Sequence, residues 1–182
     1  MPATRFEHIN CEIFSLMPKS HGKSCCLTVI DRVTRWHEAY PIKDITAQTV
    51  AQTIYREWIS RYTPLRITID QGRQFESDLF RQFAQILGIE KWRTSPYNPK
   101  ANSLIENFHR PLKAAIVAHK TRSWTEVLPT ILLGFRCALK EDIDATPAEL
   151  VYGTTLRLPG DFYDPSVKKI IYVCMSRNLV NM

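Results

Sequence analysis

The stretch Thr94–Arg110, TSPYNPKANSLIENFHR, decides how the rest of the chain is read. It is a loop that becomes a helix. Ser95-Pro96 and Asn98-Pro99 hold the backbone out of the α region, because a residue before proline is pushed toward extended geometry. Asn102 or Ser103 is then expected to cap a helix by accepting a bond from one of its free amides. From Leu104 to about His119 the apolar residues Ile105, Phe108, Leu112 and Ile116 fall on one face. Pro111 lies inside this run and is expected to kink it. Glu106 lies near the helix start, where the helix dipole favours a carboxylate, and Arg110 and Lys113 follow on the same side. An acid at a helix entrance, followed by bases along an exposed stripe, suits a site that holds a metal and then a polyanion.

A second acid gives this reading weight. Asp70 closes the run Leu65–Asp70, LRITID, and Gln71-Gly72 marks an abrupt strand exit. The 35 residues 71–105 separate it from Glu106. With that gap, the segments TVIDRVTRW (Thr28–Trp36), ITIDQGRQFES (Ile67–Ser77) and SPYNPKANSLIENFHR (Ser95–Arg110) resemble the catalytic core of integrases from retroviruses and gypsy-like long-terminal-repeat retrotransposons. The resemblance covers roughly Phe6 to Tyr163. It implies an α/β, ribonuclease-H-like fold: a mixed five-stranded sheet flanked by helices. Residues 6–163 are then expected to form the core-like domain, with a divergent or truncated tail at 164–182.

Pattern alone leads to a similar architecture. Ile9, Cys11 and Ile13 alternate with His8, Asn10 and Glu12, a period-two strand signal within Phe6–Leu16. Ser24–Asp31 reads as a strand buried on both faces, Arg32–Arg35 as a turn and Trp36–Pro41 as a third strand. Their short connections predict an antiparallel meander. Helical spacing then places Val50, Ile54 and Trp58 on one stripe, with Ala51, Tyr55 and Ile59 beside it. After the Leu65–Asp70 strand, a helix from about Ser77 to Leu87 is expected to turn Leu79, Phe80, Phe83 and Ile86 inward, with Gly88 as its stop. Glu90–Thr94 reads as a fifth strand. Farther on, Ser123-Trp124-Thr125-Glu126 carries a capping-box signature for a helix to about Lys140, with Pro129 expected to kink it or delay its start. Thr146-Pro147-Ala148-Glu149 opens a short helix that Gly153 ends.

Composition limits the setting. The 182 residues are 45% hydrophobic, enough for one domain with a real core. The longest apolar runs, Cys25–Ile30 and Ile131–Phe135, are far short of a membrane span, and the N-terminus lacks the apolar stretch of a signal peptide. Five cysteines form no CxxC pair and cannot all be paired, so a reducing compartment, nucleus or cytoplasm, is expected. The net charge of +6 suits a polyanionic partner.

The resemblance implies phosphoryl transfer with two Mg²⁺ or Mn²⁺ ions held by three acids. Asp70 and Glu106 match the second and third. Glu12, before the Met17-Pro18 turn, stands where the family has aspartate. Lys100 replaces a usual glutamine and Ser103 a usual glycine. Lys100, Asn102, His109, Arg110 and Lys113 are the expected DNA-binding residues, element ends and target DNA the expected partners, and self-association is expected. Taken singly, the same residues have plainer readings. Asp70 and Asp31 suit turn caps, Arg110 and Lys113 a solvated helix face, His109 a packed or surface histidine, and Trp36, Trp58, Trp92 and Trp124 core. Three functions therefore stand open: an integrase core that processes and joins DNA ends, a catalytically dead nucleic-acid-binding relic, and a ribonuclease-H-like nuclease. The family's amino-terminal zinc module and carboxy-terminal DNA-binding domain find no match in these residues, so autonomous integration by this chain is not expected.

Overall fold

The computed structural model describes residues 4–15, 17–94 and 99–158, with the side chains of 99–103 outside that description. Among the described residues, five strands form one sheet: β1 (His8–Phe14), β2 (Cys25–Asp31), β3 (His37–Ile42), β4 (Arg66–Ile69) and β5 (Glu90–Arg93), in the order β3-β2-β1-β4-β5. The meander β1-β2-β3 is antiparallel, while β4 and β5 run parallel to β1. Among the described residues, six α-helices flank the sheet: α1 (Ala47–Ile54), α2 (Arg73–Glu76), α3 (Asp78–Ile86), α4 (Pro99–Ala118), α5 (Trp124–Cys137) and α6 (Pro147–Tyr152). The expected mixed five-stranded sheet is present. No helix among the described residues is long and apolar enough to cross a membrane.

Strand alternation sorts the core into two layers. Ile9, Cys11, Val29, Ile67 and Ile69 face a layer with Val50, Ile54, Trp58, Phe75 and Phe80 from α1 to α3. Phe14, Cys26 and Ala39 face the other way, against Phe108, Leu112 and Ile116 of α4 and Trp124, Leu128 and Leu132 of α5. Glu12 shares the second face, because it stands two residues before Phe14 on β1. β2 is buried along six of its seven residues, as expected for a strand between two layers.

Several local expectations need correction. α4 starts at Pro99, so Asn102 and Ser103 are inside the helix rather than capping it; proline's fixed φ suits a first helical position. The helix continues through Pro111, whose missing bond would have gone to the carbonyl of exposed Asn107, where water can substitute. The expected capping box on α5 is absent: the Ser123 side chain makes no cap bond, and the Glu126 carboxylate meets His21 at 2.7 Å instead. α5 starts at Trp124 despite Pro129 and ends at Cys137, short of Lys140. Of the four residues expected to face inward from α3, Phe80 is buried and Phe83 packs partly, but Leu79 is exposed and Ile86 is 83% exposed. Trp92 is also not core, at 45% exposed on the edge strand β5. Tyr55 is exposed on a π-helical turn, Tyr55–Ile59, that continues α1.

Other expectations hold. Asp31 caps its turn, its Oδ2 accepting from the Thr34 amide at 2.8 Å and hydroxyl at 2.7 Å. Thr146 and Glu149 form a reciprocal capping box on α6, and Gly153 ends that helix at φ 73°. The 164–182 tail lies outside the described residues.

Candidate active site

Glu12 and Asp70 are brought together by strand register. Cys11 on β1 is opposite Ile69 on β4, so the next residues along these parallel strands, Glu12 within β1 and Asp70 just past the end of β4, fall side by side on one face. β4 ends at that point because Asp70 bends the chain, its Oδ1 accepting from the Gly72 amide at 2.9 Å. The plain turn-cap reading of Asp70 is thus correct and compatible with an acidic site. A Cβ added at Gly72 would be 2.9 Å from Asp70 Oδ1 and closer still to the Gln74 amide group, so glycine leaves room for the carboxylate. Glu106 projects from the exposed stripe of α4, two residues before buried Phe108.

Electrostatics tie the three acids together. Burial pushes the Glu12 carboxyl up from 4.5 to about 7, and the charges of Asp70 and Glu106 push it the same way, with Lys113 opposing. One Glu12 oxygen, Oε2, is buried without a hydrogen-bond partner. Such an atom is costly to bury unless a cation or proton satisfies it. Three carboxylates with an orphaned oxygen are the hard donor set that Mg²⁺ or Mn²⁺ takes. Among the described residues, no three His, Cys, Asp or Glu side chains are drawn closely enough together to enclose an ion. The acids are gathered within electrostatic range but stand apart.

His109 is packed. Its Nε2 is 2.6 Å from Thr28 Oγ1, its Nδ1 is 3.7 Å from Glu12 Oε1, and Phe14 meets it edge-on. When the Thr28 hydroxyl donates to the Glu12 carbonyl oxygen, 3.0 Å away, it must accept from His109, which puts the proton on Nε2. Nδ1 then turns a lone pair toward Glu12. Burial, with Lys113 adding to it, lowers His109 to about 4, so this contact is not an ion pair. Sequence reasoning named His109 as a DNA contact; the structure makes it a buried neighbour of Glu12. Thr28 was missed, since only β1-β2 register brings it opposite Glu12.

The basic side chains are placed differently. Lys113 is exposed, with Nζ 5.3 Å over the Phe14 ring, and Arg110 is exposed on the same helix. Thus Lys113 stands beside the acids, held by the ring that follows Glu12 on β1. The side chains of Lys100 and Asn102 lie outside the described residues.

Comparison with known proteins identifies the family. The sequence profile of the integrase core domain matches residues 4–99, just over half of the chain. The chain belongs to the integrase core domain family. Over 167 residues, this integrase core is 28% identical to the Pol polyprotein of Radiation murine leukemia virus (strain Kaplan), covering 89% of the chain and 28% of that protein. It is 26% identical over 162 residues to the Gag-Pol polyprotein of Walleye dermal sarcoma virus, covering 86% and 9%. It is 25% identical over 166 residues to the Retrovirus-related Pol polyprotein from transposon 412 of Drosophila melanogaster, covering 88% and 13%. The chain therefore spans less than a third of each of these relatives. In three dimensions it matches the catalytic core domain of BIV integrase with a TM-score of 0.64 and 24% identity, covering 79% of this chain and 92% of that one. The ribonuclease-H-like fold follows from that match. The family is generally metal-dependent.

Proposed function

We propose that this integrase core processes the 3′ ends of element DNA and joins them to target DNA, using Glu12, Asp70 and Glu106 to hold two divalent cations. The observation that supports this reading most is that Asp70, at the end of β4, and Glu106, on α4, both act electrostatically on the half-buried Glu12 of β1. Bound divalent ions would stabilise the attacking and leaving oxygens of an in-line displacement. The chain's own residues set up the rest. Asp70 is oriented by the Gly72 amide, and Thr28, bonded to both the Glu12 carbonyl and His109, ties the Glu12 backbone to α4. Lys113 and Arg110 would contact DNA phosphates, with Lys100 and Asn102 completing the set from the start of α4. His109 leaves the DNA-contact set and becomes a positioning residue for Glu12. DNA ends, target DNA and a second copy of the chain are its partners, in the nucleus or cytoplasm.

One observation favours the catalytically dead reading as the second choice. Glu12 is a methylene longer than the family's aspartate, and a carboxyl raised to about 7 is half protonated at neutral pH, which makes it a weaker ligand. The deciding experiment incubates the chain with long-terminal-repeat end duplexes in Mg²⁺ and separately in Mn²⁺, and measures 3′-end cleavage and strand transfer. Cleavage that disappears in Asp70→Asn supports the enzyme. DNA binding without cleavage in either metal, and unrescued by Glu12→Asp, would refute it in favour of the relic.

A further inference from the structure

Three of the four tryptophans are almost fully buried: Trp36, Trp58 and Trp124 are at most 3% exposed. Trp92 is different at 45%. It lies on the edge strand opposite Thr68, two residues before Asp70 on the neighbouring strand. Alternation puts Trp92, Thr68 and Asp70 on one face, and strand geometry sets the Trp92 and Asp70 backbones roughly 8 Å apart. The ring is held rather than loose. His8, bonded to Thr68 at 2.7 Å, makes a T-shaped contact with it at 5.3 Å, and the Arg66 guanidinium lies over one face of the ring, 5.5 Å from its centroid. Arg66 is itself fixed by Glu90 at 3.0 Å. A half-exposed indole layered against an arginine on one face has the form of a base-stacking platform.

We propose that Trp92, layered against Arg66 on one face, seats one unpaired base of a DNA end on its remaining exposed surface next to the three acids. Arg66 is already neutralised by Glu90 and Glu7, so the seat offers stacking rather than phosphate attraction. An unpaired base is the occupant that fits, because a base within a duplex presents no free face to a single exposed ring, whereas a frayed or overhanging one does. That a reacting phosphate lies alongside rests on the integrase reading above; the stacking itself does not.

The buried environment of the other three tryptophans makes Trp92 a built-in reporter. Metal-free titrations of the unmodified chain compare a duplex bearing a two-nucleotide single-stranded overhang with a blunt duplex of the same sequence, following tryptophan fluorescence. The overhang is expected to quench the exposed component, and the blunt duplex to leave it nearly unchanged. Trp92→Ala should lose roughly tenfold in affinity for the overhang, with blunt binding unaltered, and Trp92→Phe should retain most of the preference. No quenching by the overhang, or an equal loss for both duplexes in Trp92→Ala, overturns the seat. Because the quench is read on the unmodified chain, a variant that fails to fold does not decide the matter. Quenching by a chain that never cleaves DNA overturns the catalytic reading alone; cleavage without quenching overturns the seat alone.

Discussion

Replacing Glu12 with glutamine tests whether the acids are coupled as the structure describes. Glu12 is raised from 4.5 to about 7 by burial and by Asp70 and Glu106. A carboxyl raised on folding holds its proton longer in the native state, so stability is greatest below about pH 4.5 and falls as pH rises to about 7. Taken in full, that shift corresponds to about 3 kcal/mol; with its side chain 21% exposed, about 2 kcal/mol is the expected effect. Glu12→Gln should therefore stabilise the metal-free fold by about 2 kcal/mol at pH 8 and leave it nearly unchanged at pH 4.5. For a domain of this size that is a rise in Tm of roughly 4–8 °C. The unmodified chain alone will not display the effect cleanly. Burial lowers His8 and His109 to about 4 and His37 to about 3, so the unfolded chain takes protons below 6.5 that the fold refuses. Those three histidines reduce stability as pH drops through the same window, opposite in sign to Glu12. The measurement is the difference between the two proteins in urea unfolding at several pH values, with a chelator present. Parallel curves from pH 4.5 to 8 would mean that Glu12 is solvated and uncoupled, and that the acids do not converge.

Glu12→Asp should raise Mg²⁺-dependent cleavage, by up to roughly 10²-fold if ligand placement is the only defect, and the unmodified chain should gain more from Mn²⁺ than from Mg²⁺, which tolerates displaced ligands poorly; parallel metal titrations of both proteins check this. Lys113→Ala should weaken DNA binding across sequences and reduce the salt slope by about one contact, read from affinities at several salt concentrations. Gly72→Ala should push Asp70 or Gln74 aside and cost roughly tenfold or more in cleavage at little cost in thermal stability; a large loss of Tm with cleavage per folded molecule intact would place the effect in the fold instead.

The sheet was legible because its strands carry signals that survive tertiary context. The alternation in β1, the all-apolar run of β2 and the breakers after Asp70 each follow from side-chain periodicity or turn chemistry. Helix boundaries were harder. A four-residue helix such as α2 is too short to express a period, and Pro99 as a helix start competes with the capping signals of Asn102 and Ser103. Leu79, Ile86 and Trp92 are apolar and so suit a core, but only the packed sheet determines which helix face and which strand edge remain uncovered. The acids at 70 and 106 were found from their spacing and from family resemblance. What periodicity could not supply was the neighbourhood of Glu12: Thr28 comes from a hairpin register and His109 from α4 crossing β2.

That neighbourhood explains how the fold tolerates a site that works against it. Glu12 has a buried oxygen without a partner, two acids nearby and a histidine lone pair turned toward it. Each of these opposes folding with the carboxylate ionised. The opposition is carried by the two apolar layers on either side of the sheet, which fix β1 through Ile9 and Cys11 on one face and Phe14 on the other. A cation would reverse the sign of the acidic cluster, because the same repulsion that raises Glu12 becomes attraction toward a shared positive charge. Binding to the folded chain but not to the unfolded one then adds stability in proportion to its concentration over its Kd. Because ligand carboxylates must lose their protons first, the gain should increase as pH rises through about 7, where Glu12 ionises. Stability with Mg²⁺ or Mn²⁺ minus stability without it should therefore grow with pH in the unmodified chain and stay flat in Glu12→Gln. If both proteins gain equally, the ion is bound elsewhere and Glu12 is a strained bystander.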